Sequence, residues 1–352
     1  MLSAAKRPSV PTIRPVTDTA GIWTRFVEEL SQSNLAHSAE WFTAIRNAYG
    51  HDPLYLAAED DEGWSGILPA FVVRRPLFGT VVTSMPFLDA GGPCSASPAI
   101  AQMLVEHLIA DARAIGARTV ELRCAEKLQM AIPPTEHKVN LTLSLPADPN
   151  RLWHQFDKGV RNQIRKAERS GLSIDIGGAE SLTAFYDTFV VRMRDLGSPV
   201  HGPEFLRTVL ESFGARARIV LVRKGNTAIG GLVALSFKDR LIVPWATCLQ
   251  DYFPLCPNML LYWETIRTAC LEGYRRFEFG RSTRHSGTYR FKAQWGAREE
   301  PLFWYTIPIA SQRHQPPPYS GEGAVLLAKA WQRLPLVVTR HLGPRIRRYL
   351  TQ

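Results

Sequence analysis

The chain has 352 residues, of which 45% are hydrophobic and 21% charged, and its formal net charge is +10. That length accommodates two domains of ordinary size, and that apolar content excludes a disordered chain. The excess of Lys and Arg favours anionic partners such as phosphates, nucleic acid or an acidic membrane surface, but charge alone neither chooses among them nor excludes a plainly basic surface. Cys94, Cys124, Cys248, Cys256 and Cys270 are scattered, without CxxC or Cys/His spacing, so neither a disulfide framework nor a metal site is expected. The first eighteen residues are polar and carry Pro8, Pro11 and Pro15. They lack a signal-peptide core, and no run of eighteen apolar residues follows, so a cytoplasmic protein without a membrane span is expected.

Residues 21–31 and 38–49 read as helices, the second with Trp41, Phe42 and Ile45 on one face. Residues 54–58 and 64–73 read as a hairpin turned by Asp60-Asp61-Glu62-Gly63. A strand at 80–85, the loop Asp89-Ala90-Gly91-Gly92-Pro93, an amphipathic helix at 98–115 and a strand at 118–123 follow. Residues 148–170 then predict a basic helix opened by Asp148-Pro149. A strand at 172–176, helices at 180–196 and 203–213, and a hairpin of 217–223 with 228–237 come next. A strand at 241–247, a helix at 257–272 and a strand at 275–279 complete the run. The same succession thus occurs twice. It predicts an α/β chain of two mixed-sheet halves, 20–145 and 146–310, after a flexible 1–19 segment. In the remaining segment, 311–352, Gln315-Pro316-Pro317-Pro318 is a linker signal. Residues 324–350 are apolar with interleaved Lys329, Arg333, Arg340, Arg345, Arg347 and Arg348, and no acid. They predict basic amphipathic helices interrupted by Pro335 and Pro344, open to two readings: docking on a membrane surface or partner, or packing on the body.

Three blocks carry candidate chemistry. The first is Val160-Arg161-Asn162-Gln163-Ile164-Arg165-Lys166-Ala167-Glu168. Arg161 and Arg165 are i,i+4, a spacing suited to gripping a diphosphate or an RNA backbone, and equally to a solvated face. The second is Cys256-Pro257-Asn258-Met259-Leu260-Leu261-Tyr262-Trp263-Glu264. The third is Phe277-Glu278-Phe279-Gly280-Arg281-Ser282-Thr283, continued by Gly287-Thr288-Tyr289-Arg290-Phe291-Lys292-Ala293-Gln294-Trp295-Gly296-Ala297. Together these blocks, within a likeness covering residues 20 to 305, resemble the FemAB-related proteins of exosortase/PEP-CTERM exopolysaccharide loci. Those belong to the Fem-like branch of the GNAT acetyltransferase superfamily.

The resemblance implies a tandem GNAT-like fold with the acceptor at the junction of its halves. It further implies transfer of an acyl or aminoacyl group to a phosphate-linked saccharide or peptide-saccharide precursor of the cell envelope or an exopolysaccharide. The donor would be acyl-coenzyme A or aminoacyl-tRNA, with no permanently bound cofactor and no DNA partner. The alternative is a catalytically degenerate module that scaffolds polysaccharide synthesis. Arg161, Arg165 and Lys166 are expected at phosphates. Glu278 is expected to be a base, an amine-positioning group or an ion-paired brace beside Arg281. Ser282 would donate a hydrogen bond. Tyr289, Lys292 and Trp295 would share one side of a helical turn as oxyanion donor, phosphate contact and sugar wall, or instead Trp295 is core and Lys292 surface. His285 is a further proton acceptor or a surface residue. Pro244 and Trp245 line the cleft where two central strands splay, or form a packing bulge. Coenzyme A binding in such folds uses a glycine-rich turn before a helix N-terminus. Residues 248–258 contain Pro254, Pro257 and a capping candidate, Asn258, but no glycine. Gly91-Gly92 is the nearest equivalent in the first half.

Overall fold

The computed structural model describes residues 10–76, 78–309 and 322–351. The expected linker around Gln315–Pro318 and the extreme N-terminus with Pro8 lie outside the described residues. The chain forms two compact units. The first comprises Met1–Phe42, His51–Thr135 and Phe303–Gln312, and the second Thr43–Gly50, Glu136–Leu302 and Arg313–Gln352.

In chain order the chain forms β1 (Thr12–Val16), α1 (Ile22–Glu29), α2 (Glu40–Tyr49), β2 (Asp52–Pro53), β3 (Tyr55–Asp60), β4 (Gly63–Leu68), β5 (Phe71–Arg75), β6 (Gly79–Thr83), β7 (Cys94–Ser95), α3 (Pro98–Ala114) and β8 (Thr119–Cys124). β9 (Lys138–Ser144), α4 (Pro149–Gln155), α5 (Lys158–Arg169), β10 (Leu172–Gly177), α6 (Leu182–Asp195), α7 (Pro203–Phe213), β11 (Ala217–Lys224) and β12 (Thr227–Phe237) follow. Then come β13 (Arg240–Cys248), α8 (Pro257–Leu271), β14 (Arg276–Thr283), α9 (Gly287–Ala293), β15 (Arg298–Pro301), β16 (Phe303–Pro308), α10 (Glu322–Gln332) and α11 (Leu336–Arg347).

The first unit holds two sheets, ordered β1-β3-β4-β7 and β16-β8-β6-β5-β2. The single strand expected over 64–73 is divided between them. Pro69 has no N–H for the ladder, so β4 stops at Leu68 and β5 resumes at Phe71 in the other sheet. α3 starts with Pro98 at its first turn and buries Leu104, Val105, Leu108 and Ala112 on one face.

The second unit is built on one seven-stranded sheet, β10-β11-β12-β13-β14-β9-β15. Every pair is antiparallel except β13 with β14. Val139, Leu141, Leu143, Phe277 and Phe279 point to one face, in a core with Ile164 of α5 and Leu261 and Ile266 of α8. α6 and α7 cover the other face: Thr247 donates to the Thr188 carbonyl at 3.1 Å, and Phe205 meets Trp245 edge-on at 5.7 Å. The helix expected over 148–170 is broken at Phe156 and Asp157, both extended. The break lets the Phe156 ring reach Trp263 and Trp295, 5.6 and 5.3 Å away. β12 must approach β13 closely at Gly230, where an added Cβ would lie 2.4 Å from Cys248 Sγ and 2.6 Å from the Thr247 carbonyl oxygen. The oxygen belongs to a ladder strand and has nowhere to go. Gly230→Ala is therefore expected to lower stability by about 1–3 kcal/mol, read as a lower urea midpoint at unchanged slope.

The C-terminal helices pack on α6 and the segment after it. Arg340 pairs with Asp187 at 2.5 Å, and an added Cβ on Gly343 would meet Val200 at 3.0 Å. Arg347 Nε donates to His201 Nε2 at 3.0 Å. A guanidinium only donates, so Nε2 is the acceptor and the His201 proton sits on Nδ1, donating to Tyr49 Oη at 2.6 Å. Burial, then the charges of Arg347 and Arg281, hold His201 well below its ordinary pKa. Burial also lowers Arg347, to about 10. The inner faces of this tail thus pack on the body. Arg347→Ala leaves the buried His201 acceptor without that donor. The expected cost is about 1–3 kcal/mol, with α11 amides exchanging hydrogen earlier than those of the sheet.

Candidate active site

β13 and β14 pair in parallel over only three residues each, Arg240–Ile242 with Arg276–Glu278. Beyond that point both strands bulge away from the shared ladder. β13 carries an extra residue opposite Val233–Leu235, in the stretch holding Pro244, which has no N–H to give. β14 carries one between Glu278 and Arg281, at Gly280, whose φ of 73° suits glycine. Past Ile242 and Glu278 the two strands no longer pair with each other. The end of the pairing falls just before Pro244 and Trp245. Pro244 is half-buried there, while the Trp245 ring is packed against His201 and Phe205.

Glu278 sits at the last paired position. Arg240 Nη1 donates to its Oε1 at 2.8 Å and Asn140 Nδ2 to its Oε2 at 3.2 Å. Its partner is therefore Arg240, not the neighbouring Arg281. Burial raises its pKa above the usual carboxylate range, and Arg240 opposes this only in part. Thr142, directly across the ladder, has a buried hydroxyl without a partner, and the side-chain Oδ1 of Asn140 likewise has none. Arg281 is half-buried; burial is the main cause that lowers the pKa of His137, His201 and Arg347, and the Arg281 charge adds to it.

Tyr289, Lys292 and Trp295 do not share a substrate-facing side. Lys292 is only 9% exposed, and its ammonium donates to the Gly280 and Arg281 carbonyls at 2.8 Å each, bracing the bulge from beneath. It is neither a phosphate contact nor a surface residue. Trp295 is 1% exposed and ringed by Phe156, Tyr262, Phe279 and Phe291, so it is core and not a sugar wall. Tyr289 is half-buried, and a hydrogen bond to Glu299 raises its pKa. His285 is exposed in a left-handed turn, φ 62°. Ser282 is buried, with a hydroxyl that has no partner.

α5 buries Val160, Ile164 and Ala167 and turns its basic face outward. Arg165 and Lys166 are exposed, with the Arg165 guanidinium 5.4 Å over the Trp153 ring. Arg161 is half-buried, and its Nε is buried without a partner. Ahead of α8 the chain makes a 3-10 turn over Gln250–Leu255 and enters the helix through Cys256, at φ 58° and ψ 41°. A non-glycine residue thus adopts the left-handed conformation usual for glycine. No side chain caps α8, so Asn258, half-buried in its first turn, does not act as a cap. The turn contains no glycine, and its Phe253 ring lies under the Arg192 guanidinium at 5.3 Å.

The first unit contains a cavity of about 200 Å³ that the sequence reading did not find. His37, Gly92, Cys94, Cys124 and Lys127 line it, together with Pro98 at the start of α3. His37 Nδ1 accepts from the Asn34 N–H, so its Nε2–H donates to the Gly92 carbonyl at 3.0 Å. Gly91 and Gly92 are required for packing: a Cβ on either would lie 2.3 Å from Met85 Cγ or 2.5 Å from Cys124 Sγ. Only the Gly91-Gly92 pair hinted at this place in the sequence.

Residues 154–293 match the family model described as an acetyltransferase (GNAT) domain. No curated protein is a significant sequence match. Among solved structures, FemX is similar with a TM-score of 0.63 and 12% identity, over 84% of this chain and 97% of that one. The C-terminal domain of a protein described as a lysylphosphatidylglycerol synthetase, from Agrobacterium fabrum, is similar at 0.56 and 11%, over 81% and 89%. A tandem GNAT protein of the clavulanic acid biosynthesis pathway is similar at 0.53 and 10%, over 86% and 100%. The chain has a tandem GNAT-like α/β fold, and the divergent strands β13 and β14 lie inside its acetyltransferase-type segment.

Proposed function

We propose that the protein is an N-acyl- or aminoacyl-transferase whose acceptor is a phosphate-linked saccharide or peptide-saccharide precursor of the cell envelope or an exopolysaccharide, met at the cytoplasmic membrane face. The observation that carries this reading is the divergence of β13 from β14 within the matched domain, which frees backbone groups of two parallel strands to hold an extended donor arm. In the reaction an amine nitrogen attacks the donor carbonyl. A C–N bond forms, the bond to the leaving group breaks, and the amine proton passes to a base. Glu278, with its raised pKa at the mouth of the divergence, is the group assigned to take that proton or to orient the amine. The outward face of α5, with Arg161, Arg165 and Lys166, is assigned to the acceptor phosphates. The name of one structural neighbour joins an amino acid to a phospholipid, which is in keeping with an anionic acceptor. The donor is an activated acyl or aminoacyl ester, and aminoacyl-tRNA is favoured because the turn before α8 lacks the glycines with which such folds approach a coenzyme A pyrophosphate.

A scaffold reading is favoured by one specific observation: Lys292 and Trp295 are buried in structural roles. Calorimetric titration with a polyprenyl-diphosphate saccharide in detergent separates the two assignments of α5. Saturable binding that weakens at least tenfold in the Arg161→Glu/Arg165→Glu double variant is expected. Absence of saturable binding to the folded wild-type protein would refute the phosphate assignment.

A further inference from the structure

The inner faces of α10 and α11 are committed to α6 and the segment after it, but their outer faces are not. Val325, Leu326 and Leu327 of α10 are 54%, 66% and 61% exposed, and Val337, Val338 and Leu342 of α11 are 68%, 39% and 39% exposed. Six large apolar side chains standing in water on two consecutive helices are more than scattered surface leucines. The charges between them are all of one sign. Lys329 and Arg333 are exposed on the α10 side and Arg345 on the α11 side, while residues 323–352 contain no Asp or Glu. Two acids of the body lie against these helices and both are paired, Asp187 with Arg340 and Asp195 with Arg194. Leu196, also 51% exposed, adds to the apolar surface beside the contact of Gly197 with Ala328 of α10.

An apolar surface studded with cations, with Glu322 at the start of α10 the one acid of the two helices, suits one kind of partner: a bilayer with anionic headgroups. The apolar side chains reach the acyl boundary and the Lys and Arg heads stay at the phosphates. No helix among the described residues is long and apolar enough to cross a membrane, so contact would be interfacial. We propose that α10 and α11 form a peripheral docking face for an anionic membrane surface. This inference does not depend on the transfer chemistry assigned to β13 and β14.

The full chain is tested by co-sedimentation with vesicles of phosphatidylcholine alone and with 30% phosphatidylglycerol. Binding to the anionic vesicles at low salt is expected, with at least tenfold weaker binding to the neutral ones and a marked fall in high salt. Two variants read the two contributions separately: Leu326→Ser/Leu327→Ser/Val337→Ser, and Lys329→Glu/Arg333→Glu/Arg345→Glu. Each should weaken anionic-vesicle binding at least tenfold. These side chains are exposed, so thermal unfolding should match wild type and serves as the folding control. Three results would overturn the proposal: no sedimentation of wild type with anionic vesicles, equal sedimentation of the folded variants, or a wild-type dimer that the apolar variant alone makes monomeric without vesicle binding.

Discussion

Lys292→Met is expected to destabilise the protein by about 2–4 kcal/mol, because two buried backbone carbonyls lose the donor that holds them. Methionine preserves the length and apolar stem of the side chain, so cavity formation contributes little. The relief of no longer burying an ammonium offsets part of the loss. The lost bonds anchor Gly280 and Arg281, the bulge that turns β14 away from β13. Transfer activity should therefore fall even under conditions where the variant remains folded. Urea unfolding monitored by tryptophan fluorescence measures the first effect. An unchanged midpoint would show that the bulge does not depend on the ammonium.

The role of Lys292 was hidden in the sequence for a physical reason. A lysine three residues from a tyrosine and three from a tryptophan fits a helical stripe, and stripes facing solvent usually place the amine outside. Here α9 is short and lies against β14, so the same stripe points inward and the amine finds carbonyls. Elements set by strong local signals were legible. Asp148-Pro149 opens a helix, residues 217–223 and 228–237 pair as a hairpin, and Pro257 begins α8. The long helical reading over 148–170 missed its break because the break serves a tertiary contact, the burial of Phe156. β9 carries only a short alternation, with Val139, Leu141 and Leu143 turned inward. Its place beside β14 is set by pairing with residues far along the chain, which no local pattern reports. Glu278 was recognised as a carboxylate at a strand end, but its true partner, Arg240, lies on the parallel strand and not next to it in sequence.

Glu278 carries the larger functional prediction. Glu278→Gln preserves shape and is expected to reduce transfer by about 10²–10⁴-fold if the carboxylate takes the amine proton. Wild-type activity should rise with pH as the carboxyl, held above the ordinary range by burial, loses its proton. Stability has the opposite sign. A carboxyl whose pKa is raised on folding favours the folded state when protonated. That contribution is full below the ordinary carboxylate range and is lost as pH rises through the raised value. The Gln variant lacks this titration, so its stability relative to wild type should improve as pH rises through the same window. Glu278→Ala is a harsher change. It leaves the Arg240 guanidinium, largely removed from solvent, without its main partner, at about 1–3 kcal/mol after allowance for the exposure that remains. A flat pH–activity profile across that range, with Glu278→Gln as active as wild type, would remove Glu278 from the chemistry and leave it as a brace for the strand pair.

The central claim is that the divergent strands of the second unit transfer an acyl or aminoacyl group to a phosphate-bearing envelope or exopolysaccharide precursor. Its most direct test is transfer of radiolabel to polyprenyl-diphosphate saccharides from a panel of aminoacyl-tRNAs and acyl-coenzyme A donors, with Glu278→Gln alongside wild type. Wild type should yield an acceptor labelled through an amide or ester with an aminoacyl-tRNA donor, and the Gln variant should yield at least a hundredfold less. A folded wild-type protein that labels no acceptor with any donor of either class would contradict the account.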